Sequence, residues 1–273
     1  MIDRGRRHGY DRRVIDFPQP RPGDELRVSA TLYRLYLDCP RAAQARLEGH
    51  YGPDSVRSFV GALTHRMIRR HLEDGPIPEA EFETACRMEI GAGLNQKMVS
   101  AGIRSPSLLQ PLIREVGDLY RRFSVFPGEG FAGAEVELED EAAEGVSLVG
   151  KIDAVFAEGE GHVLIDWKSG SLGDPMAQLL FYALLWARTR SELPARVEAV
   201  SIATGERVET VPSTPDLTRL AGEISSFVSL MREAWTDGGA LETRGGPWCR
   251  YCPILDSCTE GRAAVKILDG EAG

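Results

Sequence analysis

No stretch of this 273-residue chain is long enough to cross a membrane. The longest apolar run, Leu179–Ala187, falls well short of the roughly 20 residues that a spanning helix needs. The first residues, Met1 to Arg13, carry arginines and lack the apolar stretch of a secretory signal, so a soluble, cytoplasmic protein is expected. An excess of basic charge is missing too: 32 Lys and Arg stand against 41 Asp and Glu, for a net charge of −9. That argues against a surface that grips polyanions everywhere, because such binding works by neutralising phosphates. It leaves room for local basic clusters, and there are four: Arg4–Arg13, Arg66–His71, Arg114 with Arg121 and Arg122, and Arg244–Arg250. Acids gather elsewhere, in Glu73–Glu89 and Glu135–Glu144. Cysteines number five, an odd count without a secretory signal, which speaks against a disulfide framework. No internal repeat occurs, and the only biased segment is the Arg-, Pro- and Gly-rich start.

What is present concentrates between Gly150 and Tyr182. The β-rich run Leu148–Phe156 contains Gly150-Lys151-Ile152-Asp153, and the next run ends in Ile165-Asp166-Trp167-Lys168-Ser169-Gly170. Residues two apart on a strand share a face, so Asp166 and Lys168 emerge side by side. An Asp-x-Lys at a strand end is commonly a solvated edge. Here Val163-Leu164-Ile165 is continuously apolar, the mark of a strand buried on both faces, and it opens into a loop at these two residues. With Asp153 on the preceding strand, two carboxylates could hold a hard divalent cation. A lysine beside them can orient or deprotonate a water and offset phosphate charge. On the following helix Gln178 and Tyr182 are four apart, polar residues sharing a face of an otherwise apolar segment.

The cysteines form a second constellation. Cys249, Cys252 and Cys258 make C-x2-C-x5-C, and Cys39 precedes Pro40 far upstream. Four thiolates suit a tetrahedral Zn²⁺ or a [4Fe–4S] cluster, and spacing alone does not separate them. Either would staple the two ends of the chain across a loop of about two hundred residues, whose closure costs several kcal/mol. Cys86 falls outside the pattern and reads as a small buried hydrophobe.

Four segments are expected: a flexible tail over 1–26, a helical segment over 27–126 carrying Cys39 and His65, a core over 127–212, and a C-terminal helix with the cysteine cluster over 213–273. Helices are predicted at 33–39, 42–48, 56–73, 79–99, 107–123, 175–188 and 214–237. Strands are predicted at 132–138, 146–156, 163–168 and 196–203, with 206–211 as a hairpin partner.

In the order Gly-x-x-Asp, Asp-x-Lys, Gln-x-x-x-Tyr, the chain resembles the RecB-like branch of the PD-(D/E)xK nuclease superfamily. Its cysteines, one before the core and three after, resemble the iron–sulfur subset of that branch, which includes the AddB nuclease domain and the CRISPR-adaptation exonucleases. The resemblance implies a restriction-endonuclease-like α/β core, a mixed sheet flanked by helices. It implies Lys168 as the catalytic lysine and His65, Asp153, Asp166 and the Trp167 carbonyl as ligands of Mg²⁺ or Mn²⁺. Gln178 and Tyr182 would support catalysis. It implies [4Fe–4S] on Cys39, Cys249, Cys252 and Cys258, with Zn²⁺ as the alternative. His65, in Gly61-Ala62-Leu63-Thr64-His65, would share an inward helix face with Ile68 and Leu72. An upstream acid is supplied by Glu135 or Glu137, and Glu135 is favoured. Arg66, Arg69 and Arg70, which flank His65, are the candidate DNA contacts. The expected activity is hydrolysis of DNA phosphodiesters on single strands or ends, exonucleolytic rather than endonucleolytic. A helicase or a defence or CRISPR-adaptation complex would be the partner. The rival reading is a catalytically silent nucleic-acid-binding or scaffold protein whose four cysteines hold zinc.

Overall fold

The computed structural model describes residues 15–52, 54–126 and 128–270. The Arg4–Arg13 cluster therefore lies outside the described residues. A mixed sheet of β1 (Leu26–Ser29), β2 (Phe131–Ala143), β3 (Val146–Glu158), β4 (Gly161–Lys168), β5 (Arg196–Ser201) and β6 (Arg207–Thr210) forms the centre. β2 runs antiparallel along the whole of β3. On the opposite edge of β3, β1 pairs in parallel with Val146–Val149 and β4 pairs antiparallel with Ala154–Glu158. Two strands thus share one edge, and residues 150–153 lie in the fork between them. The helix α7 (Met176–Arg190) returns the chain from β4 to a parallel β5, and β6 closes the sheet antiparallel to β5.

Helices cover both faces. On one side α1 (Ala30–Asp38), α7 and α8 (Thr214–Asp237) pack Tyr33, Phe181, Leu184 and Phe227 against Leu148, Ile152 and Leu164. On the other, α3 (Val56–Asp74), α4 (Glu79–Glu89) and α6 (Pro106–Phe123) pack Phe59, Leu63, Cys86, Val116 and Phe123 against Ala154, Ile165 and Trp167. The alternation of inward residues along β3 and β4 distributes them between the two layers. Serine N-caps start several helices: Ser29, Ser55, Ser105 and Ser213 each accept a main-chain N–H from the first turn.

Three expectations change. The tail does not extend to residue 26: Ile15 and Phe17 are buried, Leu26–Ser29 is a strand, and Arg232 of α8 donates to the carbonyls of Arg21 and Asp24. The segment 27–126 is not one helical unit, because α1 and α3 lie against opposite faces of the sheet. The single helix over 79–99 breaks at Ile90–Leu94, where Gly93 leaves helical geometry, and α5 (Asn95–Ser100) follows. A Cβ on Gly93 would stand 2.7 Å from Arg66 Nη2, so the break makes room for that side chain. After α8 come the cysteine turns and α9 (Thr259–Leu268), which the sequence reading left out.

Candidate active site

The fork in the sheet brings the two aspartates together. The β3–β4 ladder ends with Ala154 opposite Ile165, so Asp153 and Asp166 are the next pair, facing each other where the strands part. Like charges placed opposite each other in a sheet repel, and each carboxylate is held by other groups. Asp153 Oδ2 accepts the Trp167 main-chain N–H at 2.8 Å, and its Oδ1 lies 3.2 Å from His65 Nδ1. Asp166 Oδ1 accepts from Gln178 Nε2 at 2.8 Å. Lys168 Nζ sits 2.6 Å from Asp166 Oδ2, an ion pair at that buried oxygen.

α7 supplies the amide that ties this network together. Gln178 Oε1 accepts from Lys168 Nζ at 2.9 Å, while Nε2 also donates to the Tyr182 hydroxyl at 2.9 Å. Gly150 allows the helix to lie this close: a Cβ there would meet Leu185 Cδ2 at 2.9 Å and the Tyr182 ring at 3.3 Å. The glycine of Gly-x-x-Asp thus seats the helix that carries Gln178 and Tyr182.

Burial decides the electrostatics. Asp166 is only 3% exposed, and its carboxyl is raised to about 6 by burial, with Asp153 adding to the rise and Lys168 opposing it. For His65 burial, the largest single effect, favours the neutral ring, but the Asp153 and Asp166 carboxylates together raise the imidazole above its ordinary value. The Tyr182 hydroxyl is pushed up by burial and by Asp166.

Glu135 lies on β2 at the position in register with Asp153, and its φ is +46°, a left-handed conformation that non-glycine residues rarely adopt. Its Oε1 is 3.0 Å from Lys151 Nζ and its Oε2 3.0 Å from Arg69 Nη1. Burial works against its charge, yet these two cations hold its carboxyl below the usual range. Glu137, by contrast, is exposed.

The three arginines that flank His65 have acidic company that the sequence reading missed. Glu89, at the end of α4, lies 3.3 Å from Arg66, 3.4 Å from Arg69 and 4.0 Å from Arg70. Glu89 has no motif around it, and Lys151 fills an unspecified position of Gly-x-x-Asp. Only the packing of α4 on α3, and of β2 on β3, gives them these partners.

The fit to a divalent cation rests on the donor set: two opposed carboxylates next to an imidazole. Among the described residues no three His, Cys, Asp or Glu side chains already stand close enough together to hold an ion. The carboxylates are turned instead toward His65, the Trp167 N–H and Lys168.

At the far corner Cys39, Cys249, Cys252 and Cys258 line one small cavity. Cys39 occupies the extended residue between α1 and α2 (Pro40–Leu47), as a residue preceding proline prefers. Gln44 zips α2 to the C-terminal segment, donating to Gly239 O and accepting from Leu241 N. The Arg244 N–H points at Cys39 Sγ (3.4 Å), the Gly246 N–H at Cys249 Sγ (3.4 Å) and the Gly261 N–H at Cys258 Sγ (3.2 Å). Main-chain donors of this kind stabilise thiolates and tune metal–sulfur centres. Cys86 is fully buried among apolar side chains, and burial pushes its thiol up to about 12, as an inert core residue requires.

The family model of the PD-(D/E)XK nuclease superfamily matches residues 27–259. The chain belongs to that superfamily. The mixed sheet flanked by helices is the restriction-endonuclease-like core of this nuclease superfamily. A comparison with curated proteins gives no match. The solved structure described as "Crystal structure of SSO0001" is 16% identical, with 73% of this chain and 96% of that chain covered and a TM-score of 0.34. Among the described residues of this superfamily member, no helix is long and apolar enough to cross a membrane.

Proposed function

We propose that the protein is a metal-dependent DNA nuclease that hydrolyses phosphodiester bonds at single strands or frayed ends. The observation that carries the reading is the Asp153–Asp166 pair at the fork of β3 and β4, with Lys168 Nζ 2.6 Å from Asp166 Oδ2. His65, Asp153, Asp166 and the Trp167 carbonyl would hold Mg²⁺ or Mn²⁺, and Glu135 is the nearby acid. When bound, the cation supplies the charge that polarises the phosphodiester and acidifies the attacking water.

The chain's own residues do the rest. Gln178 fixes the Lys168 ammonium with its carbonyl and the Asp166 carboxylate with its amide, so lysine and aspartate keep a constant separation. Lys168 offsets phosphate charge and positions the water. Tyr182 braces the amide from one helical turn away. Arg66, Arg69 and Arg70 take DNA phosphates by exchanging them for Glu89, an acid already within 4.0 Å of all three. Exonucleolytic digestion from an end would suit a helicase or a defence or CRISPR-adaptation complex as the supplier of frayed DNA.

The four cysteines are assigned to a [4Fe–4S] cluster that joins the α1–α2 corner to the C-terminal turns. Their observed setting, a small shared cavity with main-chain N–H groups on three of the sulfurs, supports thiolate ligation.

Anaerobically purified protein should be brown and should digest labelled single-stranded DNA with Mn²⁺, leaving it intact in EDTA. A colourless protein with one equivalent of zinc and no Mn²⁺-dependent digestion would replace this reading by the silent, zinc-held binding protein.

A further inference from the structure

His65 and Arg69 stand one helical turn apart on the same face of α3, and each meets an acid of the sheet. His65 Nδ1 is 3.2 Å from Asp153 Oδ1 on β3, and Arg69 Nη1 donates to Glu135 Oε2 on β2 at 3.0 Å. The pairs Ala134–Ala154 and Val136–Ile152 bracket the two acids, so Glu135 and Asp153 lie opposite each other. Opposed residues of a sheet hold their Cβ atoms roughly 4.5–5.5 Å apart, a gap that a glutamate side chain spans. Glu135 is thus within reach of a cation bound at Asp153.

Two protein cations engage it instead. Arg69 holds one oxygen, and Lys151 Nζ lies 3.0 Å from the other. The backbone at Glu135 is left-handed, a conformation that costs an ordinary residue on the order of 1–3 kcal/mol and persists only where its surroundings impose it. Both cations are open to solvent, with 30% of the Arg69 side chain and 46% of Lys151 exposed. The Arg69 guanidinium is also shared with Glu89, 3.4 Å from Nη2, the acid that phosphates displace in the proposed reaction. A phosphate arriving there therefore competes for the group that clamps Glu135.

We propose that Arg69 is a switch through which DNA binding completes the cation site. A phosphate of the strand draws the Arg69 guanidinium away from Glu135, and the released carboxylate turns to the cation beside Asp153. The identities of strand and cation rest on the nuclease reading of this site. The free protein holds the cation weakly, and DNA and cation tighten each other's binding by the same factor. Arg70 carries the same charge one residue on, but its acid is Glu89, at 4.0 Å, so it lies outside the switch and serves as its control.

The test titrates Mn²⁺ into the intact protein and reads free Mn²⁺ by electron paramagnetic resonance. It is run without and with a saturating phosphorothioate oligothymidylate of about eight nucleotides, whose backbone resists cleavage. Wild type should bind Mn²⁺ roughly tenfold tighter with the oligomer. Arg69→Gln should already bind it severalfold tighter than wild type without the oligomer, which should then add about twofold or less. Arg70→Gln should keep the wild-type response, and Glu135→Gln should stay at the weak affinity in both conditions. Lys151→Gln should shift in the direction of Arg69→Gln; its half-exposed side chain makes it the variant to use if Arg69→Gln does not fold. An Arg69→Gln protein that binds Mn²⁺ no tighter than Arg70→Gln, or that keeps the full effect of the oligomer, overturns the switch. A separate digestion of ordinary oligothymidylate distinguishes the two readings. Digestion by a wild type whose Mn²⁺ affinity ignores the oligomer removes the switch and keeps the nuclease. Mn²⁺ affinity that follows Arg69 as stated, without digestion, does the reverse.

Discussion

Two corners of this molecule gather ligand-type side chains from distant parts of the chain, and they are organised in opposite ways. At the β3–β4 fork the polar side chains answer one another: Asp153 meets His65 and a main-chain N–H, and Gln178 joins Lys168 to Asp166 and Tyr182. At the cysteine corner three sulfurs receive main-chain N–H groups, and all four line one small cavity. The first corner is held by the protein itself, so single changes there should alter chemistry more than folding. The second is the corner to which the proposed cluster is assigned, and with a cluster bound there, changes to its cysteines should loosen the fold.

The largest expected effect is at the cysteines. Cys249→Ser should bleach the anaerobic protein and release a staple across about two hundred residues, worth on the order of 5 kcal/mol. For a chain of this size that lowers the melting temperature by roughly 10 °C, read by differential scanning calorimetry. Cys86→Ala should leave the colour unchanged. If Cys249→Ser melts with wild type, the contrast between the corners fails.

Next in size is the loss of activity in Asp166→Asn and Lys168→Ala. Each should lower Mn²⁺-dependent cleavage by about a thousandfold or more while melting within a few degrees of wild type. Calorimetric titration should show weakened Mn²⁺ binding for Asp166→Asn and retained binding for Lys168→Ala. Cooperative unfolding of both variants at room temperature would show that this corner, too, is structural.

Gln178→Ala tests the bridge between the two. It should reduce kcat by roughly tenfold to a hundredfold with little change in KM, because the amide positions Lys168 and Asp166 without touching substrate. An effect on KM alone would count against positioning. The smallest effects belong to Arg69→Ala and Arg70→Ala, which should weaken single-stranded DNA binding a few-fold for every sequence. Each lost phosphate contact should reduce the slope of log affinity against log salt by roughly 0.7.

Periodicity and capping made most of the framework legible. The predicted helix over 214–237 coincides with α8, and both the core strands and the α7 crossover lie where apolar runs and turn residues place them. The pair of aspartates was legible as two strand residues, but their direct opposition depends on register, which pairing alone determines. Glu135 and Glu137 share a face of an alternating strand, and the sequence favours Glu135 without showing what sets it apart. They are separated by the left-handed backbone at Glu135, together with Lys151 and Arg69. The start of the chain was misread because its composition is that of a tail. Ile15 and Phe17 find a core, and the carbonyls of Arg21 and Asp24 find Arg232, more than two hundred residues away. The π-type break after Glu89 was hidden for a similar reason: a glycine such as Gly93 is tolerated in a helix until a guanidinium, here that of Arg66, needs its space.

That grip of Arg232 bears on the order in which the protein is made. Its guanidinium binds carbonyls at Arg21, Asp24, Glu144 and Gly145, and among the described residues β1 pairs only with Val146–Val149. On the ribosome the first strand therefore emerges more than a hundred residues before its partner and two hundred before the arginine that fastens it. The α3–α6 layer can collapse locally in the meantime, while the amino-terminal segment waits for the far end of the chain.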